Sequence, residues 1–379
     1  MTHASAVAAP PLFDDAGPFA LFAEGEGQSA SRLPSESPPA EVVIAGRRLQ
    51  PTPVFDTYWR FAAARQDIYE ARQRRTAGPW TTDPILQRHR FTNCYRAADR
   101  VSQYLIRHVS YAGPQAPEEV VFRTLIFKVF NRISTWELLT HELEGPPSWA
   151  GYDFHQYDHI LSAAFTRGER LYSPAYVVPP PNLGEARKHS NHLRLLEDMM
   201  VSGITARIAS AGSLRSAFVI LRSFPAIGDF LAYQYLIDLN YSAVLDYDEA
   251  EFVVAGPGAR DGIRKCFGPA ADGVEAEIIR YMAEHQEHHF TRLGLRFNGL
   301  RGRPLQLIDC QNLFCEADKY ARVAHPEVIG HSGRTRIKQL YRPLPQPTPP
   351  GWFPPKWGIN GDTDTDAVVG TGGRRPWVE

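Results

Sequence analysis

Long hydrophobic runs are missing from this sequence. No stretch approaches the roughly 18 uninterrupted apolar residues that a membrane span needs, so no membrane-bound role is expected. Cysteine is scarce: Cys94, Cys266, Cys310 and Cys315 are the only four in 379 residues. They are too few and too scattered for a disulfide framework or a four-cysteine zinc or iron–sulfur site. Together with a start, MTHASAVAAPPLFDD, that lacks the basic opening of a secretory signal, they are read as reduced thiols of a cytoplasmic, nucleoid-associated protein. Charge of one sign is missing too. The 41 basic and 42 acidic residues nearly cancel, which excludes a histone-like or tail-driven nucleic-acid binder but leaves room for a local basic groove. No Gly-Lys-Ser/Thr follows any glycine-rich stretch, so an ATP-dependent P-loop kinase is not expected from this chain.

What is present falls into three parts. Residues 1–50 are rich in Ala, Pro, Ser and Gly without helical period, and residues 343–379 hold QPTPPGWFPPKWG, DTDTD and GTGG. Both read as disordered or draped on the surface, with Trp352, Phe353 and Trp357 marking a part of the C-terminal tail that packs. The ends carry −3 and −1, so the middle, 51–342, is mildly basic at +3. It reads as one helical domain. Apolar residues recur at helical spacing over 54–71, 91–109, 118–130, 155–166, 186–209, 213–222, 228–239, 273–293 and 305–323, with Pro- and Gly-rich breaks between. Val253–Val254 is the one short strand candidate.

The segment 213–252 is the most informative. A helix ends at Phe224-Pro225, a tight turn Ala226-Ile227-Gly228 follows, and a second helix starts at Asp229, an acid suited to the positive end of a helix. The run Phe-Pro-Ala-Ile-Gly-Asp-Phe-Leu-Ala resembles the helix-hairpin-helix of DNA glycosylases, and an ordinary pair of helices across a short turn is the plain alternative. In such a hairpin, backbone N–H groups at a helix N-terminus grip a DNA phosphate. The resemblance implies phosphate contact at Ile227 and Gly228. It also places the catalytic carboxylate about 20 residues beyond Gly228, at Asp248, with Asp246 and Glu249 beside it. An ionised Asp there would stabilise a sugar turning oxocarbenium-like as its base leaves; three acids in four residues would equally suit a solvated loop. The Schiff-base lysine of strand-cleaving relatives is replaced by Phe230, which disfavours an amine mechanism. Ala226 replaces the first hairpin glycine, where a left-handed turn suits Ala less well.

Three more blocks, RFTNCYRAADRVSQYLI (90–106), DEAEFVVAGPGARDGIRKCFG (248–268) and QLIDCQNLFCEADKYARV (306–323), join FPAIGDFLAYQYLIDLNYS (224–242). Together they resemble the alpha-glutamyl/putrescinyl thymine pyrophosphorylase family, related to the helical domains that accompany 5-hydroxymethyluracil DNA kinases. The resemblance covers roughly 54–325. It implies an all-α, two-lobed, helix-hairpin-helix glycosylase-like fold with flexible termini and work on hypermodified pyrimidines in DNA, either in phage DNA modification or in antiviral defence.

Within these blocks, a helix starting near Thr92-Asn93 would aim Asn93 and Arg96 at a flipped base or a phosphate. Gln234, Gln311 and Lys319 complete the expected base pocket, and Glu316 and Asp318 are further candidate carboxylates. A Glu316–Lys319 pair at i,i+3 is the bland reading. The loop 256–268, with Gly256, Gly258, Gly262, Arg260, Arg264 and Lys265, is expected to bind DNA phosphates. His285, Glu287, His288 and His289 match no zinc spacing and read as a polar helix face, so neither metal nor cofactor is expected.

The leading expectation is a monofunctional DNA glycosylase that extrudes and excises a 5-modified pyrimidine from double-stranded DNA. The alternatives are a transferase that attaches an amino acid or polyamine to activated 5-hydroxymethyluracil, and a non-catalytic DNA-binding module partnering a 5-hydroxymethyluracil kinase.

Overall fold

A computed structural model describes residues 38–174, 177–343 and 349–361. The expectations for 1–37, 344–348 and 362–379, DTDTD and GTGG among them, lie outside the described residues. The first described element lies in the segment expected to be disordered or draped: a hairpin of β1 (Val42–Ile44) and β2 (Arg47–Leu49) pairs Val42 with Leu49 and Ile44 with Arg47. Val42, Ile44 and Leu49 are buried, and an alternation this short is easily missed in sequence. Val253–Val254 forms no strand.

The rest is helical, as the periodicity implied. The long helices are α1 (Pro53–Gln73), followed by the single turn α2 (Pro84–Arg88), then α3 (Arg100–Leu105), α4 (Pro117–Phe130), α5 (Ile133–Glu142) and α6 (Phe154–Thr166). After these come α7 (Lys188–Val201), α8 (Ile204–Ala209), α9 (Leu214–Arg222), α10 (Asp229–Asn240) and α11 (Pro257–Phe267). The last are α12 (Glu275–Glu284), α13 (Gln286–Arg292) and α14 (Leu307–Ala324). Their starts are chemically marked. Thr52 caps α1 ahead of Pro53, and Gln306 and Asp309 close a reciprocal capping box on α14. Two expected helices are each broken in two: at Gly203, which takes φ 70°, and at His285, which ends α12 and opens α13.

Two further corrections bear on the site. The helix expected from Thr92-Asn93 starts later, with a 3₁₀ turn at Arg96–Ala98 and then α3 behind its N-cap Asp99. Thr92 and Asn93 are held in non-helical backbone instead: Arg65 donates to the Thr92 carbonyl (2.9 Å) and the Asn93 side chain (2.6 Å), and Glu316 accepts from the Thr92 amide (2.8 Å). The expected phosphate loop 256–268 is mostly α11. Its glycines serve close helix packing. A Cβ at Gly262 would lie 2.1 Å from the Phe314 carbonyl oxygen, and one at Gly258 would lie 2.3 Å from Cys315 Sγ.

Helices α11, α14, α1 and α12 pack as one group, and α4 to α10 as a second, all within one contact unit, Glu36–Glu379. α1 supplies Phe55, Tyr58 and Trp59, each without exposed surface. Aromatics of this size bury the most apolar area per residue. The 3₁₀ turn at Arg96 packs on α14, and α10 packs on α4. The interior between α10 and α14 is where the polar side chains gather.

Candidate functional site

Arg96 stands at the centre. Its guanidinium grips Asp238 of α10 bidentately (2.6 and 2.8 Å), its Nε donates to Gln234 Oε1 (3.0 Å), and its backbone amide donates to Asp309 of α14 (2.8 Å). Lys128 of α4 adds a second cation 2.9 Å from Asp238. Burial pushes the Asp238 carboxyl up, but Arg96 and Lys128 outweigh it and hold the group below the usual carboxylate range. Gln234 in turn donates to Gln311 Oε1 (3.3 Å). The expected pocket residues Arg96, Gln234 and Gln311 thus converge. Asn93 and Lys319 do not join them; Lys319 pairs with Glu316 (2.8 Å) and lies over the Phe91 ring.

The acid stretch 246–249 resolves into three unlike environments. Asp246 is exposed, 3.4 Å from Lys356 Nζ. Asp248 is exposed, and its Oδ1 accepts from the Ala250 amide two residues on (2.9 Å), a local turn. Glu249 is 6 % exposed and turns inward to Arg303 (3.0 Å). Burial pushes its carboxyl up to about 7, against the pull of Arg303 and with a further push from Asp309. Asp309 is itself pushed up to about 6 by burial, although two backbone amides lower it. Two buried carboxyls near Arg303 and Arg96, both raised by burial, are suited to hold and release a proton near neutral pH. The Tyr233 hydroxyl is fully buried and feels the Glu249 charge; among the described residues it has no hydrogen-bond partner.

The segment 349–361 closes this site from outside. Trp352 and Phe353 are buried, as their aromatic character implied. The Lys356 ammonium donates to the carbonyls of Asn240 and Leu245. The Trp357 ring lies 4.1 Å from the Arg303 guanidinium carbon.

Other candidates take structural places. Asp318 is buried between Lys265 (3.0 Å) and Arg322, so Lys265 is a core ion pair and not a surface contact for DNA. Arg264 pairs with Asp272, while Arg260 is exposed. The Ile227 side chain is buried and its amide donates to the Phe224 carbonyl (3.3 Å), which removes it from the expected phosphate contact. Ala226 adopts φ 61°, the strained left-handed turn foreseen at this position, and Gly228 opens α10 without a side-chain cap. Sequence reasoning missed three exposed arginines here. Arg207 lies over Phe224, Arg215 over Phe252, and Arg222 beside Asp229.

The histidines expected to form a polar helix face divide in the structure. His289 is buried against Trp59 and accepts or donates to the Tyr281 hydroxyl (3.1 Å), and burial drives its pKa down to about 3. It is a core group, unlike the exposed His285 and His288, and no metal-holding cluster occurs among the described residues. In the cleft between α6 and α7, Ser162 Oγ lies 2.9 Å from His189 Nε2, with Asp158 3.6 Å from the same nitrogen. A hydrolytic triad needs the acid on the opposite nitrogen, so this arrangement is not one.

The fold and this interior define an all-helical domain built around a buried guanidinium–carboxylate–amide network. The chain belongs to the family described as 5-hmdU DNA kinase, helical domain, whose model matches residues 52–330. It is 24 % identical over 290 residues to a 5-hmdU DNA kinase of Bacillus phage SP10, an alignment covering 70 % of this chain and 45 % of that protein. The chain therefore spans less than half the length of this relative. No solved structure matches it. Among the described residues no helix is long and apolar enough to cross a membrane.

Proposed function

We propose that this chain acts on 5-modified pyrimidines in double-stranded DNA, drawing the base out of the duplex and carrying out acid–base chemistry on it at Glu249. The name of the phage relative supplies the substrate class, a 5-hydroxymethyl pyrimidine in DNA. The observation that carries the chemistry is Glu249 itself, a buried carboxyl poised at about 7 beside Arg303. A base or acid with a pKa near the working pH is the most effective proton-transfer group.

Monofunctional excision is the leading reaction. Ionised Glu249 stabilises the sugar as the glycosidic bond breaks and the base departs with the bonding electron pair; water then adds to the sugar carbon and gives its proton to Glu249. The role first given to Asp248 passes to its neighbour, because a solvated carboxylate tied to its own loop gains nothing from a water-excluded site. Phe230 leaves no lysine for a Schiff base at the hairpin. Arg207, Arg215 and Arg222 around the uncapped start of α10 supply a phosphate-binding face.

A second reading is a base-recognition module whose phosphoryl transfer is done by a separate kinase. The relative that covers this chain is a kinase of more than twice the matched length, and α11 buries its glycines in helix packing where a nucleotide cradle would need open backbone.

The test is incubation with duplexes carrying thymine, 5-hydroxymethyluracil, 5-hydroxymethylcytosine or glucosylated bases, followed by mass spectrometry. Free base with abasic DNA supports excision. A heavier nucleoside that needs both an amine and activated DNA supports transfer. Selective binding without product supports the module. Equal, productless binding to all duplexes overturns the reading.

A further inference from the structure

The two halves of the segment 349–361 hold to the domain in different ways. The first half is fixed through backbone. The Gly351 amide donates to Gln73 (2.9 Å), the Trp352 amide to Gln103 Oε1 (2.9 Å), and Gln103 returns a bond to the Trp352 carbonyl (3.1 Å). Trp352 and Phe353 are buried behind these bonds. The second half, the 3₁₀ turn Pro355–Trp357, is held by side chains. Its Trp357 is only half-buried, yet it rests on two of the groups that line the Glu249 site. Its ring lies 4.1 Å from the Arg303 guanidinium and 5.4 Å, edge to face, from Tyr241. Arg303 is the same residue that holds Glu249 at 3.0 Å, and Tyr241 is sealed to 1 % exposure.

These contacts are the ones a nucleobase makes. A guanidinium plane and an aromatic wall accept any flat π-system, and a carboxyl at the rim reads or protonates a polar edge. The indole itself is half-exposed and held only by ring contacts, with Phe353 among them, so another ring can replace it while the hydrogen bonds of Lys356 and Asn360 keep the segment in place.

We propose that Tyr241, Arg303 and Glu249 form a nucleobase site, and that Trp357 occupies it in the DNA-free chain until a flipped pyrimidine displaces it. This rests on the reading of the chain as a DNA-base enzyme and adds the location of the base and the group that guards it.

The experiment uses the full chain labelled with 5-fluorotryptophan, with Trp357→Phe to assign the Trp357 fluorine resonance and Trp357→Ala to empty the site. The probes are free 5-hydroxymethyl-2′-deoxyuridine and a duplex with one 5-hydroxymethyluracil. The expected result is a Trp357 resonance that moves to its solvent-exposed position when either probe binds. Nucleoside affinity should rise about tenfold in Trp357→Ala, as for a site that is open about a tenth of the time. The proposal is overturned if either probe binds with the resonance unmoved, or if a folded Trp357→Ala chain binds the nucleoside no tighter or more weakly. If thymidine and the modified nucleoside both displace Trp357 while no duplex yields product, the occluded site stands and the enzymatic reading falls.

Discussion

Asp238 and Glu249 are both buried carboxylates within the reach of Arg96, yet one is locked and the other poised. Asp238 faces two cations, one of them bidentate, and its pKa lies below the ordinary range. Glu249 is bonded to Arg303 and feels Lys356 and Arg96 at longer range, with Asp309 opposing them, and burial still raises its pKa to about 7. Burial is therefore not what marks a working acid. Direct contact separates the two: Arg96 and Lys128 both hydrogen-bond Asp238 and outweigh its burial, whereas the cations around Glu249 do not outweigh its burial. On this view Arg96, Asp238 and Lys128 bolt α10, α4 and the 3₁₀ turn together, and Glu249 with Asp309 carries the chemistry.

The largest effect should come from breaking the locked side. Asp238→Asn leaves Arg96 and Lys128 buried without the carboxylate charge that pairs them and should cost about 3–5 kcal/mol, read as a lowered midpoint in urea unfolding. A change below about 1 kcal/mol would show that the two clusters are alike after all.

The poised side should reveal itself through pH. Glu249 has a folded-state pKa above its unfolded value of 4.5. Its contribution to stability is thus fully present below about pH 4.5 and is lost as pH rises through about 7, some 3 kcal/mol in all. The stability of wild type minus that of Glu249→Gln should fall by that amount between pH 4 and 8. His192 and His289, lowered to about 4 and about 3 by burial, act in the opposite sense and weaken the fold as pH falls below 6.5. They are common to both chains and cancel in the difference. A difference that is flat with pH would place Glu249 among ordinary surface carboxylates.

Gly262→Ala tests whether the glycine-rich stretch belongs to either region. With the Phe314 carbonyl 2.1 Å from the new Cβ, overpacking should cost about 1–3 kcal/mol, measured by thermal unfolding, with duplex affinity unaltered once folded. Loss of DNA binding without loss of stability would restore the phosphate-loop reading. The smallest effect is expected at Gly228, where an added Cβ meets nothing within 4 Å. Gly228→Ala should change stability by under about 1 kcal/mol, while Gly228→Phe should weaken modified and unmodified duplexes alike in a filter-binding assay, since phosphate contacts carry no sequence information.

Much of this was legible in the sequence, and the gaps have physical reasons. Apolar pattern and Pro- and Gly-rich breaks located α1, α4, α6, α9, α10 and α14 to within a residue or two, because none has Pro or Gly beyond its first turn; α4 and α10 bury nearly every residue rather than one face. The motif blocks singled out Arg96, Gln234 and Gln311, which meet in one buried hydrogen-bonded cluster. Asp309, Asp238 and Arg303 escaped notice because their meaning lies in partners far along the chain: Arg96 meets Gln234 across 138 positions and Asp309 across 213. Spacing pointed to Asp248 and could not tell it from Glu249, since one step along a turn reverses inside and outside. The run Gly256–Gly262 misled for a simpler reason. Absence of a Cβ permits close approach, and sequence does not say whether a phosphate or another helix approaches.

The central claim is that Glu249, and not Asp248, transfers the proton in a reaction on 5-modified DNA. Single-turnover rates on a 5-hydroxymethyluracil duplex, with saturating enzyme and wild type, Glu249→Gln and Asp248→Asn compared across pH 5 to 9, test it most directly. The expected result is a wild-type rate that titrates near 7, a loss of about 10²–10³-fold in Glu249→Gln with duplex binding retained, and an Asp248→Asn rate within about twofold of wild type. A Glu249→Gln chain that turns over at the wild-type rate while Asp248→Asn is inactive would contradict the account.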